Sequence, residues 1–243
     1  MCARVCIPTR DRPGNISLAI MGVALHLYPD DELFLYDDGD RPATSDYGVR
    51  FALDIATQRG VKVTIVRGKP HGIAKARAKI LSDAMSDGVR YLRMVDDDIV
   101  IPQWAWINVW NVLGSNADAQ FVVPTIRLAN NEAGIEKFGQ VAESTSVHDA
   151  QFVIGGRGVA KLHGGAWTCD VAFDLSRFDV SAAISRLENG PPVVEDYVLT
   201  APLTGYVTYD SEVWHCMSPD QGERAWNGAA LAYLRKSLSV SEA

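Results

Sequence analysis

The chain has 243 residues, 47% hydrophobic and 22% charged, with a formal net charge of -7. This length and balance fit one globular domain that buries a substantial core without disulfides. The acidity argues against a protein that grips nucleic acid through its overall field. No apolar run approaches the roughly 18–20 residues needed to cross a bilayer. Arg10, Asp11 and Arg12 interrupt any signal-like layout at the N-terminus, so the expected location is cytoplasmic, with no membrane anchor. The cysteines Cys2, Cys6, Cys169 and Cys216 show neither a C-x-x-C pair nor zinc-ligand spacing and read as reduced thiols.

Residues 4–8 form a short apolar run that ends at Pro8. Ile16, Ile20, Val23 and Leu27 then recur at helical spacing and mark one face of a helix. Residues 32–36 are a second apolar run, closed by the turn-rich Asp37-Asp38-Gly39-Asp40. The pattern predicts a helix over 45–59 stopped by Gly60, a strand over 61–65 and a helix over 72–87 ended by Gly88. Further strands are predicted over 89–95 and 119–126. Residues 127–165 are weakly patterned and read as loops and short strands covering a site. Mixed structure follows, and residues 226–238 read as a final helix.

The order β-α-β-α-β-α-β predicts an α/β fold with an open, mostly parallel sheet and helices on both faces. We read one domain over 1–243, with a ligand-binding half at 1–126 and a second half at 127–243. In such sheets ligands sit outside the carboxyl ends of the strands. The residues there are Thr9-Arg10-Asp11, Asp37-Asp38 and Asp96-Asp97-Asp98. Three adjacent carboxylates after an apolar strand repel one another. A hard divalent cation, Mn²⁺ or Mg²⁺, compensates them well, because it uses one or two protein carboxylates plus substrate phosphates. The bland alternative is a solvated acidic turn.

Five ordered pieces resemble the family 2 glycosyltransferases, whose fold is called GT-A. They are Ile7-Pro8-Thr9-Arg10-Asp11-Arg12, Tyr36-Asp37-Asp38-Gly39-Asp40, Gly72-Ile73-Ala74-Lys75-Ala76-Arg77, Val95-Asp96-Asp97-Asp98 and Glu195-Asp196-Tyr197. The resemblance covers roughly residues 4–216. No piece is decisive alone, and the strength lies in their order and spacing. It implies a metal-dependent, inverting hexosyltransferase-like enzyme. Such an enzyme moves a sugar from a nucleotide-diphosphate donor, UDP favoured, to an acceptor hydroxyl.

The resemblance also implies roles. Thr9 and Arg10 would line the nucleoside pocket, though a tight turn into the first helix explains Thr9 as well. Asp38 would accept the imide N–H of uracil, since a carboxylate offers acceptors only; an Asx turn before Gly39 is the alternative. Arg77, with Lys75 in reserve, would lie near the diphosphate. Arg12 could meet a phosphate or be surface charge, and surface charge is the favoured reading. Asp98 would ligate the metal, and Asp96 or Asp97 would contact the ribose or a metal-bound water, with the register of the triplet open by one. Asp196 would be the general base beside Glu195, unless the pair merely decorates a helix N-terminus. His215 would be a further metal ligand. Gly164 and Gly165 would let backbone approach the donor sugar, and Trp167 would stack on a sugar or fill the core.

Two other classes fit a parallel sheet with acidic strand ends: a sugar-phosphate nucleotidyltransferase and a non-catalytic nucleotide-sugar-binding domain. The first usually has a glycine-rich loop after the first strand, which Pro8 to Gly14 lacks. The acceptor stays open between a saccharide, a lipid-linked sugar, a protein and a modified nucleic acid. A modified base in DNA is a minority reading, given the net acidity.

Overall fold

The computed structural model describes residues 3–68, 72–128, 157–162, 165–190 and 195–216. The final helix expected at 226–238, Gly164 and most of the segment 127–165 lie outside the described residues.

The first half alternates strand and helix as the periodicity predicts. β1 (Ala3–Thr9), β2 (Glu32–Asp37), β3 (Lys62–Arg67) and β4 (Tyr91–Val95) are separated by α1 (Pro13–Ala24), α2 (Tyr47–Gln58) and α3 (Ile73–Ser86). Local chemistry sets the boundaries. The Asp46 side chain accepts the Val49 N–H and caps α2. Proline opens α1, where its missing N–H costs nothing. Gly60, Gly72 and Gly88 take φ of 82°, 81° and 69°, a region that L side chains avoid, and so punctuate α2 and α3.

β5 (Ile99–Val100), α4 (Gln103–Ser115), β6 (Phe121–Leu128), β7 (Val159–Leu162) and β8 (Asp170–Asp174) follow, and then α5 (Val180–Asn189), the short α6 (Glu195–Thr200) and β9 (Gly205–His215). The described strands form one nine-stranded sheet in the order β3-β2-β1-β4-β8-β6-β9-β5, with β7 paired to β9. The pairs β3-β2, β2-β1 and β1-β4 are parallel. β8 then runs antiparallel between β4 and β6. β6 thus keeps the direction of β4 without touching it, so the simple parallel continuation read from the sequence is interrupted by one inserted strand.

Period-two alternation divides the core between two faces. Val5, Ile7, Leu33 and Leu35 pack under α1 and α2, against Ile16, Ile20, Val49 and Ala52. Cys6, Phe34, Tyr36, Leu92 and Met94 pack on the other face, against Ile80 and Leu81 of α3 and Val180, Leu187 and Val198. Each such fully buried aliphatic side chain contributes roughly 1.5–3 kcal/mol. Arg93 alternates with Leu92 and Met94. It is fully buried in a two-pronged pair with Asp170, its Nε and Nη2 lying 2.7 and 2.6 Å from the carboxylate oxygens, beneath the Trp106 ring. This pair clamps β4, β8 and α4 directly behind the carboxyl end of β4.

Cys6 and Cys169 are buried, Cys216 is half-buried, and all three are free thiols. Among the described residues no helix is long and apolar enough to cross a membrane.

Candidate active site

The acidic triplet is a junction. The Asp38 N–H donates to the Thr9 carbonyl, joining the ends of β1 and β2. The Asp96 N–H donates to the Cys169 carbonyl at 2.7 Å, and the Asp98 carbonyl accepts the Cys216 N–H at 2.8 Å. Ile99 pairs with His215 across β5 and β9. Backbone bonds thus bring three distant segments to the carboxyl end of β4.

The three side chains diverge, each toward a different segment of the chain. Asp97 turns to β1: it accepts the Thr9 hydroxyl at 2.7 Å and Arg12 Nη1 at 3.2 Å. Asp98 turns to β9, where His215 Nε2 lies 3.1 Å from its Oδ1. Asp96 turns to α3, where Arg77 Nη2 lies 3.1 Å from its Oδ1. The expectation that Arg12 is surface charge is therefore overturned. It is half-buried, pairs with Asp97 and lies 3.7 Å from Asp98 Oδ2, because the tight turn after Thr9 folds it back over the triplet.

Arg77 is buried and links the two halves of the site. Its Nη2 serves Asp96, while its Nη1 donates to Glu195 Oε1 at 3.3 Å and to Asp196 Oδ1. The Thr168 hydroxyl also donates to Asp196 Oδ1. Thr200 fixes the base of α6: its hydroxyl donates to the Asp196 carbonyl and accepts the Ala166 N–H. Lys75, two residues before Arg77, is exposed to solvent, as the different faces of adjacent helix positions require. Thr168 carried no sequence signal, since a lone threonine after a tryptophan matches no motif.

Charge is unbalanced here. Burial raises Asp96 to about 6 against the pull of Arg77, with the Asp196 and Asp98 charges adding to the rise. Burial also raises Asp97, despite its bonds to Thr9 and Arg12. Glu195 rises to about 7 through burial and then through the charge of Asp196. Burial lowers His215, but the hydrogen bond to Asp98 and the charges of Asp98 and Asp96 outweigh it and leave the imidazole raised.

Asp37 and Asp38 divide their labour. Asp37 is structural: it accepts the Gly39 and Ala43 N–H groups and Arg67 Nη1. Asp38 Oδ2 is buried with no hydrogen-bond partner. Gly68 approaches so closely that a Cβ there would meet Asp38 Oδ1 at 2.6 Å. Among the described residues nothing donates to Asp38 Oδ2, which leaves an acceptor for a ligand's donor. Arg10 is exposed beside this turn. Gly165 packs on α6, where an added Cβ would meet the Tyr197 ring at 2.3 Å, so packing alone demands glycine. Trp167 is partly buried against the core under α1 and α2.

Among the described residues no group of three His, Cys, Asp or Glu side chains is arranged to hold a metal. Asp98 and His215 do form a pair, and among the described residues Asp98 Oδ2 and His215 Nδ1 are both buried without a hydrogen-bond partner. That donor set fits a cation that takes two ligands from protein and the rest from substrate oxygens.

The mainly parallel sheet with helices on both faces is a fold of the GT-A type. The model of the glycosyl transferase family 2 matches residues 4–167, and the chain belongs to that family. The match ends before Glu195, Asp196 and His215. No curated protein matches the chain in sequence. Among solved structures, S. aureus TarS (residues 1–349) superposes with a TM-score of 0.55 at 14% identity, over 89% of this chain and 60% of that one. A mycobacterial protein superposes with a TM-score of 0.54 at 15% identity, over 97% of this chain and 74% of that one. The chain thus spans about 60% of the TarS chain it matches. At these identities the likeness establishes the fold.

Proposed function

We propose that this glycosyltransferase moves a sugar from a nucleoside diphosphate, UDP favoured, to an acceptor hydroxyl with inversion at the anomeric carbon. The observation that carries this reading is the bridge through Arg77, which holds the triplet at the end of β4 against the Glu195-Asp196 pair at the start of α6.

In this reading Asp38 accepts the base N–H with its unpartnered oxygen, and Thr9 and Asp97 border the nucleoside. Asp98 and His215 would hold Mn²⁺ or Mg²⁺, which when bound offsets charge on the departing diphosphate. Asp196, oriented by Thr168 and Arg77, takes the proton from the acceptor hydroxyl. The freed oxygen attacks the anomeric carbon opposite the diphosphate, and the bond from that carbon to the diphosphate oxygen breaks. Arg77 holds the base in place, and Glu195 shares that cation.

A thermal-shift panel of nucleoside diphosphates and their sugar conjugates, each with Mn²⁺ and with EDTA, tests the donor site. Stabilisation by UDP and a UDP-sugar that EDTA abolishes is the expected result. Equal stabilisation in EDTA sinks the metal role, and preference for another base sinks UDP.

A further inference from the structure

Away from the triplet, α2 and the sheet edge enclose an open depression of about 480 Å³, within the range of small-ligand sites, roughly 300–1,000 Å³. Its wall is the outward stripe of α2. Tyr47 and Phe51, one turn apart, are 74% and 51% exposed. Their rings lie nearly parallel, 16° apart, with centroids separated by 6.4 Å. Val63 and Ile65 of β3 form the floor, and Arg50 and Asp54 flank the rings. The Arg50 guanidinium is held in place, donating to the Thr44 and Ser45 carbonyls at 2.9 and 3.0 Å.

We propose that this depression is a second, non-catalytic binding site for a neutral saccharide chain. Three observations choose that occupant. Two parallel exposed rings offer apolar faces of the kind that the C–H faces of pyranose rings cover. Arg50 and Asp54 beside them supply fixed donors and acceptors for hydroxyl groups, and their opposite charges cancel, which suits a neutral ligand. A strand from a peptide or a second copy is disfavoured at this edge. β3 pairs only with β2, but Lys62 and Arg67 stand at its two ends, the arrangement by which natural sheet edges resist pairing. Thr44 and Tyr47, which line the depression, follow Ala43, whose N–H bonds Asp37 at the carboxyl end of β2. A chain held here raises the local concentration of its own hydroxyl groups near that strand end.

The test is electrophoresis of the whole protein through native gels cast with soluble starch, laminarin, mannan or glycol chitin. Retardation by at least one polymer is expected. The double variant Tyr47→Ala/Phe51→Ala should bind about tenfold or more weakly, while Phe51→Tyr and Asp98→Ala keep the wild-type retardation. Both rings are exposed, so the double variant should melt as the wild type does, and Phe51→Tyr retains a test should it not. Four results overturn the proposal. They are no retardation in any gel, retardation unchanged in the double variant, retardation lost in Asp98→Ala, and a concentration-dependent dimer in sedimentation that the double variant abolishes. Because binding is read without turnover and with the metal-site variant in parallel, failure here is distinguishable from failure of the transfer reading.

Discussion

Replacing Glu195 by Gln is expected to stabilise the ligand-free protein, and more so at alkaline pH. Glu195 titrates near 7 in the fold against an ordinary value of 4.5. The folded state therefore binds more protons than the unfolded one between those values, and stability falls as pH rises through that window. The favourable contribution is fully present below pH 4.5 and is gone above about 7. Each tenfold change in proton affinity corresponds to about 1.4 kcal/mol. Holding the side chain in the fold thus costs little at pH 5.5 and on the order of a few kcal/mol at pH 8. Gln keeps an oxygen for Arg77, which lies 3.3 Å away, and carries no charge to desolvate. The advantage of the variant should therefore grow by about 2 kcal/mol between the two pH values. For a chain of this size that is roughly 4–8 °C in melting temperature. Differential scanning fluorimetry at pH 5.5 and pH 8, in EDTA, measures it. A melting difference that is equal at both pH values, or smaller at pH 8, would refute the reasoning. The same substitution should reduce transfer, the usual exchange between stability and activity at a charged site.

Asp196→Asn should keep Mn²⁺-dependent stabilisation by UDP while transfer falls about 10²–10⁴-fold; near-normal turnover in a nucleotide-release assay would remove Asp196 from the role of base. Asp98→Ala should lose that stabilisation, which in the wild type reaches about 2.7 kcal/mol at a ligand concentration of one hundred Kd, and unchanged UDP affinity in Mn²⁺ would exclude Asp98 as a ligand. Arg93→Leu leaves Asp170 charged, buried and unpaired, and should cost about 3–5 kcal/mol in chemical denaturation. The double variant Arg93→Leu/Asp170→Leu should recover most of that loss, and equal losses would show that packing under Trp106, not charge, holds β4 to β8.

The first half of the fold was legible because its signals are local. The short apolar runs of β1 and β2, helical spacing in α1, and glycines with positive φ after α2 and around α3 each constrain a few neighbouring residues. β8 was not legible. It is a five-residue strand, Asp-Val-Ala-Phe-Asp, whose terminal carboxylates resemble turn residues. Both are buried carboxylates with partners from far along the chain, the buried Arg93 for Asp170 and the exposed Arg90 for Asp174. The same blindness affected Arg12, whose partner Asp97 is 85 residues away, and Thr168, which is recognisable only once Asp196 is beside it. The directions of the triplet side chains were illegible for a different reason. Three consecutive residues at a strand end project in different directions, and only the neighbours at Thr9, Arg77 and His215 distinguish them.

The cluster that those neighbours form is too negative for a purely structural feature. Arg12 and Arg77 face Asp96, Asp97, Asp98, Glu195 and Asp196, two cations against five carboxylates at one edge of the sheet. Elsewhere in the fold buried charges are matched, as in the fully buried Arg93–Asp170 pair and the doubly served Asp174. Ion pairs built only for stability would tend toward that balance, because an unmatched buried carboxylate costs several kcal/mol. Here the deficit appears as the raised Asp96, Asp97 and Glu195, and as a buried Asp98 oxygen with no partner. A ligand that brings positive charge and hydrogen-bond donors relieves all of these together. A divalent cation bound with a nucleotide does so, and the nucleotide diphosphate alone, which adds negative charge, does not. In the proposed reading the imbalance therefore favours binding of the diphosphate together with a cation over binding of the diphosphate alone.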